Sequence, residues 1–100
     1  MKMAEDNDPA KLKPMYFVVP EVRDALLNTP TPVRSEFGHA LYMAQCGEQH
    51  AHCKRLKHIE AGVIEIVERY DSDTYRAVYT IHYEEAIYGL HVFQKKASQG

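Results

Sequence analysis

Cysteine is scarce in this 100-residue chain: Cys46 and Cys53 are the only two, too few for a disulfide framework, and a reducing cytoplasm would keep both as thiols. Long apolar runs are missing as well. None approaches the roughly 20 residues a membrane helix needs, and the N-terminal MKMAEDNDPAKLK lacks the apolar core of a secretory signal. No membrane partner is expected, and a cytoplasmic location follows by default. Basic charge is not in excess either. Lys and Arg number 12 against 14 Asp and Glu, a formal charge of -2, which argues against broad, non-specific nucleic-acid affinity but leaves room for a local patch. There is no internal repeat, no Gly-rich phosphate loop and no nucleophile elbow, and nothing favours a Ser-His-Asp triad. The length is that of one domain, residues 1–100, with a modest core.

What the chain does have is concentrated between Gly62 and Lys96. GVIEIVERY, TYRAVYTIHY and AIYGLHVFQKK are rich in Val, Ile and Tyr and are separated by short polar turns, the pattern of a three-stranded antiparallel meander. Side chains alternate between the faces of a strand. Arg76, Val78, Thr80 and His82 therefore share one face and Tyr75, Ala77, Tyr79 and Ile81 the other; His91, Phe93 and Lys95 separate in the same way from Leu90 and Val92. With Tyr75, Ala77, Tyr79, Ile81, Leu90 and Val92 towards a core, Arg76, His91, Phe93 and Lys95 gather on an open face, a surface suited to anions or RNA.

Residues 1–12 are polar and aperiodic and read as a loose arm. MYFVV, between Pro14 and Pro20, reads as an edge strand that joins the meander to make four. Val22, Ala25 and Leu26 recur at helical spacing up to Asn28, Thr29 and Pro30. Thr31 and Pro32 then read as N-cap and first position of a second helix, with Val33, Phe37, Ala40, Leu41 and Ala44 as its apolar stripe and Gly47 as its end. The two helices cover one face of the sheet and leave the other open.

Two polar features precede the meander. CGEQHAHC holds Cys46, His50, His52 and Cys53, ligand types that zinc prefers, but the spacing matches no paired-ligand knuckle, so the segment is read as a solvated loop and no metal or other cofactor is assigned. KRLK, Lys54 to Lys57, is the densest basic cluster and supplies cations beside the open face.

TYRAVY followed by LHVFQKK, together with PMYFVV, EVRDALLNTPTPVRSEFGHALYMAQCGEQH, KRLK and AGVIEIVERYDSDTYRAVY, resembles the phage-derived, HigB-like branch of the RelE/ParE toxin superfamily from about Met15 to Gln99. The resemblance implies a RelE-like α+β fold, with two helices on one face of a twisted, mainly antiparallel four-stranded sheet. It also implies the toxin of a type II toxin–antitoxin pair, neutralised by a helix-turn-helix, HigA-like antitoxin. RelE and HigB members are ribosome-dependent mRNA endoribonucleases that inhibit translation without a metal. ParE members instead inhibit DNA gyrase and are not nucleases, which is the alternative reading.

Metal-free RNA cleavage uses the ribose 2′-hydroxyl as nucleophile, so it needs a proton acceptor, cations for the phosphorane and a proton donor for the leaving oxygen. By the resemblance Arg76 grips phosphate and Lys95 and Lys96 are the C-terminal basic residues; of these Lys95 is the expected catalytic one, because alternation puts it beside His91, and Lys96 is expected to bind RNA. His91 is the acid/base candidate, because an ordinary imidazole titrates near neutrality. Phe93 stacks on a base, and Lys54, Arg55 and Lys57 hold neighbouring backbone. A salt bridge with Glu65 is the structural alternative for Arg76. The chain departs from RelE in carrying Glu65 and Val67 where that strand has lysines, in its slight acidity, and in ending soon after QKK where relatives continue into a short helix. A shortened, inactive toxin that retains antitoxin binding is therefore a further expectation.

Overall fold

The computed structural model describes residues 12–95; the arm expected over residues 1–12 lies, save for Leu12, outside them, and so does Lys96. Helix α1, Pro20–Leu27, starts on a proline whose missing N–H costs nothing in a first turn. It ends where Thr29 donates its hydroxyl to the Leu26 carbonyl at 2.7 Å. Helix α2 spans Thr31–Gln45. Its first helical hydrogen bond runs from Arg34 N–H to the Pro30 carbonyl at 2.8 Å, so Pro30, not Thr31, is the N-cap and Pro32 is the second helical residue. The Thr31 hydroxyl instead accepts from Arg34, whose other arm donates to the Leu27 carbonyl at the end of α1. At the far end Gly47 takes a φ of +83°. From there Gly47 N–H reaches the Ala44 carbonyl and Glu48 N–H the Met43 carbonyl, the paired bonds that satisfy a helix terminus.

Among the described residues five strands form one sheet: β1 Met15–Phe17, β2 Cys53–Arg55, β3 Val63–Tyr70, β4 Asp73–Thr80 and β5 Ile87–Lys95, in the order β1-β5-β4-β3-β2. The meander of β3, β4 and β5 is antiparallel as expected, and β1 joins β5 in parallel. The expected count of four is one too few. The additional strand is Cys-Lys-Arg, which contains no strong β-former and carries no signal of its own; pairing with β3 makes it a strand, a tertiary effect overriding local preference. Asp71 and Ser72 both adopt positive φ, the conformation of a two-residue hairpin turn that matches the strands' right-handed twist.

The α2 stripe, Val33, Phe37, Ala40, Leu41 and Ala44, is buried against Ile64, Ile66, Tyr75, Ala77, Tyr79 and Ile87 of the sheet. Leu90 is a correction. The register steps from Val78 opposite His91 to Tyr79 opposite Gly89, so Leu90 is the extra residue of a β-bulge and joins His91 on the side away from the helices, where both line one groove. Gly89 sits on the helix side beneath the Phe17 ring: a Cβ there would lie 2.9 Å from its Cδ1, so only glycine lets β1 approach β5 this closely. The face opposite the helices is also less bare than alternation implies. The chain between β2 and β3 folds over it, tied by Leu56 N–H to the Val63 carbonyl and Ile59 N–H to the Leu56 carbonyl, and Val63 and Glu65 are buried beneath.

Candidate functional site on the sheet face away from the helices

Strand register aligns the polar residues in rows across the sheet. Lys54, Glu65, Val78 and His91 form one row, each opposite the next, and Val67, Arg76 and Phe93 form the row beside it. Side chains in such rows stand over the same face and interact with their cross-strand neighbours. Arg76 donates from Nη1 to Glu65 Oε1 at 2.8 Å, and Lys54 Nζ lies 3.6 Å from the same oxygen. Glu65 is 7 % exposed, so its carboxylate lies between two cations under the shelter of the β2–β3 connection. The salt bridge that stood as the alternative role of Arg76 therefore exists. It occupies one nitrogen of a five-donor fork and leaves others for an anion.

His91 is exposed and stacks on Phe93, with ring centroids 4.8 Å apart and planes 25° from parallel. Both line a groove of about 650 Å³ with Leu56, Ile59, Val78 and Leu90 as its apolar wall. Glu65 and His91 flank Val78 from either side, and two strand spacings put their backbones about 10 Å apart. A carboxylate and an imidazole so placed can serve the two ends of one small reacting group.

The structure brings Lys54, Arg76, His91 and Phe93 together and leaves Arg55, Lys57 and Lys95 apart from them. Lys95 shares the face but stands opposite Thr74, four residues or about 13 Å along β5 from His91. Arg55, next to Lys54, points to the other face, where it borders a hollow with Ala44, Ile64 and Tyr79. Lys57 is exposed in the turn after β2. Glu65 was foreseen as a partner of Arg76 but not as a buried one. Its signal was present, a carboxylate on the same strand face as Val63 and Val67, but its burial comes from a connection that no periodicity announces.

The CGEQHAHC segment resolves differently from its sequence pattern. Cys53 Sγ meets the buried Tyr79 hydroxyl at 3.3 Å, and burial raises the pKa values of both groups, which keeps the thiol protonated and unreactive. The groups with metal-ligating geometry among the described residues pair histidine with glutamate instead: Glu36, His39 and His50, and His50, His52 and Glu68. His50 is already satisfied at both nitrogens. Its Nδ1 accepts the His52 backbone N–H at 3.0 Å, which leaves the proton on Nε2 to be donated to Glu36 Oε1 at 2.9 Å. Taking an ion at Nε2 would require moving that proton and breaking the backbone bond, so the cluster reads as the fastening of the α2–β2 connection.

His52 Nδ1 lies 2.6 Å from Glu68 Oε2, and this hydrogen bond, with the carboxylate's charge, raises the imidazole above the ordinary 6.5. Because the folded-state pKa is the higher one, the pair's contribution to stability is fully present below about pH 6.5 and is lost as pH rises through the folded value. The urea midpoint is therefore expected to fall slightly across that window. In His52→Ala the fall disappears while the midpoint at higher pH is unchanged; a wild-type midpoint flat across the window would refute the linkage.

The class these observations define is an α+β domain whose helices cover one sheet face and whose other face aligns a carboxylate, two cations and an imidazole. Residues 24–100 match the family profile described as Phage derived protein Gp49-like (DUF891), and the chain belongs to that family. It is a family of RelE/toxin-like proteins, which suggests a toxin–antitoxin context. No curated protein and no solved structure matches the chain. Among the described residues no helix is long and apolar enough to cross a membrane.

Proposed function

We propose that the chain is the toxin of a type II toxin–antitoxin pair of the HigB-like kind, acting in the cytoplasm as a ribosome-dependent mRNA endoribonuclease. One observation carries the reading: Glu65 and His91 flank Val78 in a single row, with Arg76 in the next row bonded to Glu65. Glu65 takes the proton of the ribose 2′-hydroxyl, and the 2′-oxygen bonds to phosphorus. His91 gives a proton to the 5′-oxygen as the P–O5′ bond breaks. The products are a 2′,3′-cyclic phosphate and a 5′-hydroxyl, and no metal ion takes part. Arg76 and Lys54 offset the charge that develops on the phosphorane, and Phe93 and the apolar groove hold an adjoining base. Lys95 and Lys57 contact backbone further along the strand. The ribosome contributes alignment, which an open groove does not supply by itself. Neutralisation falls to a helix-turn-helix, HigA-like antitoxin.

The test is induced expression of the wild-type chain, Arg76→Ala and His91→Ala in a bacterium without the antitoxin, with growth followed and mRNA 5′ ends mapped. Growth arrest with new 5′ ends inside translated reading frames, lost in both variants, is the expected result. Arrest with intact mRNA and poisoned gyrase would overturn the nuclease reading in favour of the ParE-like one. Unimpeded growth with soluble protein would identify a toxin that has lost its activity.

A further inference from the structure

Beyond the cleft, three tyrosines gather where β1 joins the sheet. Tyr16 of β1 stands opposite Tyr88 of β5, with ring centroids 5.8 Å apart and planes inclined by 32°. Tyr83, from the connection between β4 and β5, meets Tyr88 edge-on at 5.4 Å. Tyr16 is 52 % exposed and Tyr83 46 %. Contiguous rings left in water mark interaction surfaces, and tyrosine is favoured there because it adds a polar tip to a large apolar body.

The charge around the rings says what they would receive. Tyr83 and Tyr88 frame a hollow of about 470 Å³ whose charged lining residues, among the described residues, are Glu60 and Glu85. Aromatic ring faces are electronegative, so rings and carboxylates together attract a cation and repel a phosphate backbone. A guanidinium suits such a place better than an ammonium, since it can lie flat on a ring while its edge donates two hydrogen bonds to a carboxylate.

We propose that this tyrosine shelf is a docking site for an arginine-bearing segment of a protein partner. Glu60 and Leu90 line both the shelf and the cleft groove, so a segment seated on the shelf reaches the mouth of the cleft and narrows the path of any ligand there. The shelf does not depend on the nuclease reading: its rings and carboxylates would take the same partner beside an inactive cleft.

The full chain is titrated with a fluorescein-labelled peptide of alternating arginine and glycine and, separately, with labelled oligouridylate, by anisotropy and by NMR of the tyrosine rings. The expected result is saturable binding of the peptide that shifts the Tyr16, Tyr83 and Tyr88 resonances. Tyr83→Ala and Glu85→Gln each weaken it by about fivefold or more, while Glu48→Gln, a surface carboxylate elsewhere, leaves it unchanged. Both test positions are exposed, and an unaltered unfolding midpoint separates lost docking from lost folding. Absence of saturable binding, equal affinity in both variants, or displacement of the tyrosine resonances by oligouridylate in place of the peptide would overturn the proposal.

Discussion

Glu65→Gln is expected to slow RNA cleavage on translating ribosomes by about 100- to 10,000-fold, the range for loss of a general base, while the chain stays folded. The amide keeps the shape of the carboxylate, and its oxygen can still accept the 2.8 Å bond from Arg76; what disappears is the capacity to take a proton. Arg76→Ala is a less discriminating change. It leaves a carboxylate of 7 % exposure with Lys54, 3.6 Å away, as its cation among the described residues, at a stability cost of about 1–3 kcal/mol, so its loss of activity mixes chemistry with damage to the site. His91→Ala separates the roles from the other side, because His91 is exposed and its removal leaves no buried group unpaired. A Glu65→Gln protein that cleaves at the wild-type rate would reduce the Glu65–Arg76 pair to a structural ion pair and move the proton acceptor elsewhere.

The largest expected effect on stability is at Phe37. Its side chain is 0 % exposed and meets the sheet at the centre of the core, so Phe37→Ala leaves a cavity that the surrounding Ile and Tyr side chains cannot collapse to fill. The cost is about 3–5 kcal/mol, a large share of the stability of a domain this small. Urea unfolding should show the midpoint falling with little change in slope. Tyr42, on the same helix but 44 % exposed, provides the contrast: Tyr42→Ala should stay within about 0.5 kcal/mol of wild type. Equal costs at the two positions would mean that α2 does not bury the face described.

Most of the architecture was legible before any coordinates, because alternation and helical spacing are local properties. The α2 stripe could be read residue by residue, as could the burial of Tyr75, Ala77 and Tyr79 and the placing of Arg76 and His91 on the opposite face. The misreadings occur where a local rule meets a long-range constraint. Strict alternation sent Leu90 to the core, and a bulge opposite Val78 and Tyr79 turned it outwards. Lys95 shares a face with His91 by parity alone, and parity does not measure distance along a strand. In CGEQHAHC the sequence neighbours are Cys46, His50, His52 and Cys53, whereas the spatial partners of the histidines are Glu36 and Glu68, contributed by α2 and β3.

By itself, then, the amino-acid sequence determined the helices, the meander and the faces of most of its strands, and the membership of a toxin-like family. Only the tertiary structure decided that Cys53–Arg55 is a strand and that Glu65 is buried between Lys54 and Arg76. It also decided that Glu65 and His91 stand in one row on either side of Val78, and that Tyr88 meets both Tyr16 and Tyr83. The physical reason is the same in each case. Periodicity follows from bonds between near neighbours along the chain, whereas a row across the sheet follows from which strands pair and in what register, and that depends on every strand at once.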